Sequence, residues 1–270
     1  MEPRSMNYSE FLFFLKKVSR LNINYEKCRN DFLQSKAYYK SINDEKELLK
    51  IWFAITALEI VSEYKNTFNL LKKREYQNAW YKLEDIEIMS ENIKFNIDNH
   101  NDYLMLRWIE SVIKKYQSIY PYKVFISPEF IDKKVECSIC GCTMTPFSEC
   151  KHIPGKVYCG DMCSRIVVDM EPILFALVEK PVQKYSVIFD GIEKPENYQL
   201  LEYLMPKLKH EFTGWDYRIQ KKYKPHMKIG RDENCPCLSG KKYKDCCLNN
   251  PKGIEYEHYE FFDPRLEKKA

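Results

Sequence analysis

Apolar residues recur at helical spacing through most of the first half of the chain. From Asp44 onward, Leu48, Trp52, Ile55, Leu58, Val61 and Phe68 fall along one face of a 3.6-residue repeat. Tyr76, Ala79, Trp80, Leu83 and Ile86 form a second run. Leu104, Trp108, Val112 and Tyr116 form a third, with Asn101 or Asp102 as its N-cap and Pro121 as its stop. No glycine precedes Gly141 and no proline falls between Pro3 and Pro121, so the pattern predicts long helices packed as antiparallel hairpins. Their aromatic stripes read as core. The stretch "EYQNAWYKLEDIE" has the look of a tetratricopeptide helix, but no repeat of about 34 residues accompanies it.

The pattern changes after Pro121. "KVFIS", "RIVVD", "ILFALV" and "YSVIF" are short β-branched and aromatic runs broken by proline and glycine, which predicts a small β-containing unit over residues 122–194. Leu200, Leu201, Leu204 and Leu208 then predict a helix over residues 196–210. Basic "RIQKKYKPHMKIG" reads as a linker within 195–229, followed by a cysteine motif at 230–250 and a loosely held tail at 251–270. The expected fold class is α+β, mainly α: a helical domain over residues 1–121, a small central metal-binding α+β unit, and a C-terminal metal knuckle.

Composition narrows the function classes. Hydrophobic residues make up 44% and charged residues 30% of the 270, which suits a packed core and argues against wholesale disorder. The net charge of +4 is unevenly placed: residues 207–252 carry 12 Lys or Arg against 5 Asp or Glu, leaving the remainder slightly acidic. A basic module of this kind points to an acidic partner, protein or nucleic acid. No apolar run approaches the roughly 18 residues that span a bilayer, and "FLFFL" is too short for a signal peptide. The expected location is the cytoplasm, where thiols stay reduced. Of the 11 cysteines, all but Cys28 fall in two dense clusters, which reads as metal ligation rather than a disulfide framework.

The C-terminal cluster is "NCPCLSGKKYKDCC", residues 234–247. Pro236 stiffens the Cys235–Cys237 pair through its fixed φ, Ser239 and Gly240 supply a turn, and Cys246 and Cys247 bring the chain back. Four thiolates around a divalent zinc ion leave a net charge of about −2. Lys241, Lys242 and Lys244 are expected to offset it and to ease thiol deprotonation. The stretch from Gly230 to Cys247, "GRDENCPCLSGKKYKDCC", closely resembles the SEC-C zinc module, named for the C-terminal end of the translocase ATPase SecA. Arg231, both cysteine pairs, Pro236, Ser239, Gly240 and the Lys241-Lys242-Tyr243-Lys244 run all match. Leu238 replaces the family's glycine, and Glu233-Asn234 replaces its Asp-Pro. The resemblance implies zinc held by Cys235, Cys237, Cys246 and Cys247, and a protein partner such as an export chaperone or the ribosome. No Walker A pattern accompanies it, so the chain does not read as the motor.

The central cluster holds Cys137, Cys140, Cys142, Cys150, His152, Cys159 and Cys163. Cys137-x-x-Cys140 followed by Cys150-x-His152 has the spacing of a zinc site, with a second Zn²⁺ expected there. Cys159 and Cys163 can substitute for part of that set, and Cys142 reads as a spare ligand or a buried thiol. H-E-x-x-H and the deaminase signature are both absent, so a structural metal is favoured over a catalytic one. His100, His210, His226 and His258 read as isolated surface residues.

Three functions remain open at this point. The first is a zinc-binding cytosolic interaction protein. The second is a nucleic-acid binder using Arg218, Lys221, Lys222, Lys224, Lys228, Arg231, Lys241, Lys242 and Lys244, with Tyr217, Tyr223 and Tyr243 as stacking platforms. The third is a metal-dependent hydrolase or nuclease of a phage-related or defence system.

Overall fold

Residues 7–19, 23–147, 149–192, 194–226, 228–237, 239 and 241–264 are described by a computed structural model. The helical prediction holds across the N-terminal half. Helices α1 (Tyr8–Leu15), α2 (Tyr25–Ser41), α3 (Glu45–Lys72), α4 (Tyr76–Asn96) and α5 (Leu104–Ser118) follow one another. Their starts are chemically set. Asn7 and Glu10 form a capping box on α1, while Asn24 and Asp44 accept backbone N–H bonds at the starts of α2 and α3. The start of α5 differs from expectation: Asn101 and Asp102 lie in a 3₁₀ turn over His100–Asp102, and Tyr103 takes the N-cap position without a side-chain bond. No helix among the described residues is long and apolar enough to cross a membrane.

The aromatic stripes are core, as expected. Trp80 packs on Tyr120, Tyr122 and Phe125, and its indole N–H donates to the Lys184 carbonyl at 2.6 Å. The Tyr120 hydroxyl donates to the Tyr76 carbonyl at 2.9 Å, and the Tyr122 and Tyr198 hydroxyls share a hydrogen bond at 2.8 Å. Every buried polar tip named here has a partner, so these rings add apolar burial without an orphaned group.

The central segment forms two antiparallel pieces. Strands β1 (Val124–Cys137) and β4 (Arg165–Val178) pair along 14 residues each, and short β5 (Val187–Ile188) joins β1 at one end. "RIVVD" and "ILFALV" are thus one strand rather than two. Between them β2 (Val157–Tyr158) and β3 (Asp161–Met162) make a tight hairpin. Helix α6 (Gln199–Leu204) follows, flanked by 3₁₀ turns and shorter than predicted.

The chain divides into two compact units, Met1–Phe212 and Thr213–Ala270. The helices and the central thiol-rich segment belong to the first. In the second, the basic stretch expected as a linker forms β6 (Asp216–Lys224). It pairs in continuous antiparallel register with β7 (Ile254–Phe262), which lies in the stretch expected as a loose tail. Charge complementarity explains the pairing: Arg218 meets Glu260 at 3.4 Å and Lys221 meets Glu255 at 2.8 Å.

Gly253 leads into β7 with φ near +96°, and a Cβ there would collide with the Lys224 carbonyl oxygen. Gly253→Ala is therefore expected to cost about 1–3 kcal/mol of stability in the second unit. Faster amide hydrogen exchange through residues 254–262 is the measurement that checks it.

Candidate metal centre

The structure brings both predicted sets of four together. The ligand atoms of Cys137, Cys140, Cys150 and His152 lie within 4.8 Å of one another, and so do those of Cys235, Cys237, Cys246 and Cys247. All eleven cysteines are free thiols.

In the C-terminal set, a short antiparallel bridge pairs Asn234 with Lys242, and the Cys235 N–H donates to the Lys241 carbonyl at 2.8 Å. This closes the loop between the thiol pairs. Cys237 Sγ lies 3.5 Å from Cys246 Sγ, which is 3.8 Å from Cys247 Sγ. Four sulfurs at about 2.3 Å from a tetrahedral centre stand about 3.8 Å apart, so the spacing fits a metal-sized centre. Burial pushes the Cys237 thiol up, but hydrogen bonds from Ser239 and the neighbouring thiols outweigh it and bring it to about 6. Burial lifts Cys247 to about 12. Leu238 and Gly240, the first a departure from the SEC-C pattern, lie outside the described residues.

Two readings of this stretch change. Tyr243 does not offer a stacking surface: it is 1% exposed and packs with Cys235, Cys247 and Ile254. Nor is His226 an isolated histidine, since its ring nitrogens meet the Tyr243 hydroxyl at 2.8 Å and the Asn250 carbonyl at 3.0 Å. Lys244 and Lys242 pair with Asp232, at 2.6 and 3.7 Å.

The central set rests on a knuckle. The Gly141 N–H donates to the Cys137 carbonyl and the Cys137 N–H to the Cys142 carbonyl, a turn that needs the positive φ of Gly141. His152 Nδ1 lies 3.7 Å from Cys137 Sγ and 3.6 Å from Cys150 Sγ, and Cys140 Sγ lies 3.6 Å from Cys150 Sγ. A tetrahedral site with one nitrogen predicts S–N edges of about 3.6 Å. Burial raises the Cys137 thiol, but hydrogen bonds from the Cys140 and Ile139 backbone and from nearby thiols win and bring it to about 6.

The remaining central thiols separate. Cys163 is buried with its sulfur 3.7 Å from that of Cys137, a fourth sulfur at the edge of the set. Cys159 faces away: its N–H and its thiol both donate to the Glu45 carboxylate, each at 2.9 Å. Cys142 is exposed and offers its carbonyl to the knuckle.

Several residues that sequence spacing left unmarked hold the central site on the helices. Asn96, at the end of α4, donates to the Gly155 carbonyl and accepts from the Val157 N–H. Asp161 meets Lys36 at 2.7 Å and Lys40 at 2.6 Å, both on α2. Burial pushes the Asp161 carboxyl up, but the two lysines more than compensate and hold it below the usual carboxylate value. Only the asparagine near a helix end and the i, i+4 lysine pair were visible in sequence, and neither names a partner.

Residues 233–249 match the SEC-C motif family. Three curated relatives, each the protein translocase subunit SecA, align with part of the chain. That of Carboxydothermus hydrogenoformans is 31% identical over 31% of this chain and 9% of its own length. That of Finegoldia magna is 41% identical over 24% of this chain and 8% of its own, and that of Oleidesulfovibrio alaskensis 34% over 28% and 10%. No solved structure matches.

Asp161→Asn removes a charge that two lysines satisfy near the surface. Because stability from a depressed carboxylate is present above its unfolded pKa and lost as pH falls through the folded one, the loss shows near neutrality and fades in acid. An expected cost of about 0.5–1 kcal/mol at pH 7, allowing for screening, would appear as faster amide exchange at Val157 and Met162. The chain carries a SEC-C motif and is similar to SecA over less than a third of its own length and about a tenth of SecA's, so it is not SecA itself.

Proposed function

We propose that the chain binds two zinc ions and that its C-terminal zinc module docks a protein partner, chaperone or ribosome-associated, in the cytoplasm. Cys235, Cys237, Cys246 and Cys247 hold one ion. Cys137, Cys140, Cys150 and His152 hold the other. The observation that carries the reading is the meeting of four thiols within 4.8 Å inside the stretch that matches the SEC-C motif. Thiolate-rich tetrahedral sets favour zinc over hard cations. A bound ion would supply folding free energy to a unit with few buried apolar residues. The similarity to a protein translocase subunit supports an assignment to protein traffic.

A nucleic-acid role draws less support. Arg218 and Lys221 are paired to β7 glutamates, Lys242 and Lys244 to Asp232, and Tyr243 is buried. A hydrolase needs an open metal position, whereas the central set already offers four donors with Cys163 beside them.

Replacing Cys246 and Cys247 together by serine is expected to lower bound zinc from about two ions per chain to about one, and to abolish capture of the partner from native extract. Elemental analysis reads the first effect and affinity capture the second. Unchanged zinc and unchanged capture would overturn the proposal. Binding to RNA that falls steeply with added salt would favour the nucleic-acid alternative.

A further inference from the structure

Five soft donors meet at the central cluster: Cys137, Cys140, Cys150 and His152, with Cys163 beside them. A tetrahedral zinc ion takes four. Cys163 is the donor left over, yet its sulfur lies 3.7 Å from Cys137 Sγ, the same separation as His152 Nδ1 from that sulfur. Two thiolates on one tetrahedral ion stand about 3.8 Å apart. Cys159 is no competitor, because its N–H and its thiol are both spent on Glu45.

Cys150 and Cys163 are held in different ways. The main chain of Cys163 is fixed on both sides: its N–H donates to the Lys156 carbonyl at 2.8 Å, and its carbonyl accepts from the Gly155 N–H at 2.7 Å. The next residue clasps the ligand knuckle itself. Ser138, between Cys137 and Cys140, donates its N–H to the Ser164 carbonyl at 3.1 Å, and its hydroxyl accepts from the Ser164 N–H at 2.8 Å. Cys163 is thus presented to the cluster on a rigid mount. Cys150 has no such mount. Among the described residues, no main-chain hydrogen bond engages its N–H or its carbonyl. Its sulfur is placed by other donors of the set, Cys140 Sγ and His152 Nδ1, each at 3.6 Å.

The other three donors are anchored. The Gly141 turn fixes Cys137 and Cys140, and the His152 ring packs edge-on to Tyr158, with centroids 4.6 Å apart. We infer that Cys163 is an alternative fourth ligand of the central ion, exchanging with Cys150 while Cys137, Cys140 and His152 stay bound. This rests on the proposal above that the central set holds a metal. The exchange conserves charge. Cys163 gives up its thiol proton as it binds, Cys150 takes one up as it leaves, and three thiolates and one imidazole hold the ion in either state. The segment tied to the ion changes from the turn before His152 to the turn leading into β4, which already pairs with β1 at Cys137 and Arg165. Cys150 is only partly buried, whereas Cys163 is 1% exposed. Modification of the more accessible thiol would then leave the ion in place.

The full chain tests this, with elemental analysis reading stoichiometry and cadmium NMR of the cadmium-loaded protein reading the donor set. Cys150→Ser and Cys163→Ser are each expected to keep about two ions per chain. Retention by Cys163→Ser also shows that serine is tolerated at that buried position. Cys150→Ser combined with Cys163→Ser is expected to fall to about one, whereas Cys150→Ser combined with Cys159→Ser keeps about two. The central cadmium resonance of Cys150→Ser is expected to stay where three thiolates and one imidazole place it. Its move to the range of a two-thiolate site overturns the inference. So does loss of one ion by Cys150→Ser alone, or retention of both ions by the Cys150 and Cys163 double variant, and each of these leaves the central metal reading standing. A wild type that holds a single ion, lost on replacing Cys246 and Cys247 by serine, overturns that reading and this inference with it.

Discussion

The C-terminal module buries Cys235, Tyr243, Cys247 and Ile254, and half of that core is thiol. Ordering a residue costs about 1–2 kcal/mol of backbone entropy, and four buried side chains fall far short of offsetting it. With so little apolar burial, an ion held by the four thiols would supply this module with folding free energy that its own core lacks. Its other features serve that end. The Asn234–Lys242 bridge sets the distance between the cysteine pairs. His226 fixes Tyr243 against them, and β7 carries Ile254 into the same small core while its acidic side chains hold β6.

The central cluster meets the same constraint by another route. A hairpin with two paired residues per strand has no independent stability. It is held instead by directed polar contacts to the helices: Asn96 from α4, Glu45 from the start of α3, and Lys36 and Lys40 from α2. Cys159 occupies a turn position with φ near +49°, a strained conformation for a residue with a side chain, and Glu45 engages both its N–H and its thiol. The thiol cluster is thus continuous with the helical body rather than a bead strung after it, which explains why one compact unit runs through Phe212.

What could be read from the sequence tracks the range of the interactions involved. Helices α3, α4 and α5 were legible because a 3.6-residue period is a local property, and the two four-ligand sets because zinc-type spacing is local as well. The β6–β7 ribbon was not, since Arg218 and its partner Glu260 lie 42 positions apart by their numbers, and each segment alone reads as a charged coil. His226, Glu45, Asn96 and Asp161 were missed for the same reason: each acts through partners distant along the chain. Even the start of α5 turned on a non-local fact, with Tyr103 buried against Phe53 rather than a polar cap at Asn101 or Asp102.

That long-range pairing also bears on function. A strip of cations counted along the chain looks like a phosphate-binding surface, whose affinity rests on unneutralised charge that releases counterions. In the folded ribbon, Arg218 and Lys221 face glutamates across the ladder, Lys224 lies over the Tyr256 ring, and Lys244 is taken by Asp232. The surface becomes one of alternating sign with tyrosines between. Within this second unit, the acidic strand therefore does two things at once. It supplies the pairing that a module with a small core lacks, and its glutamates offset the cations of the basic strand.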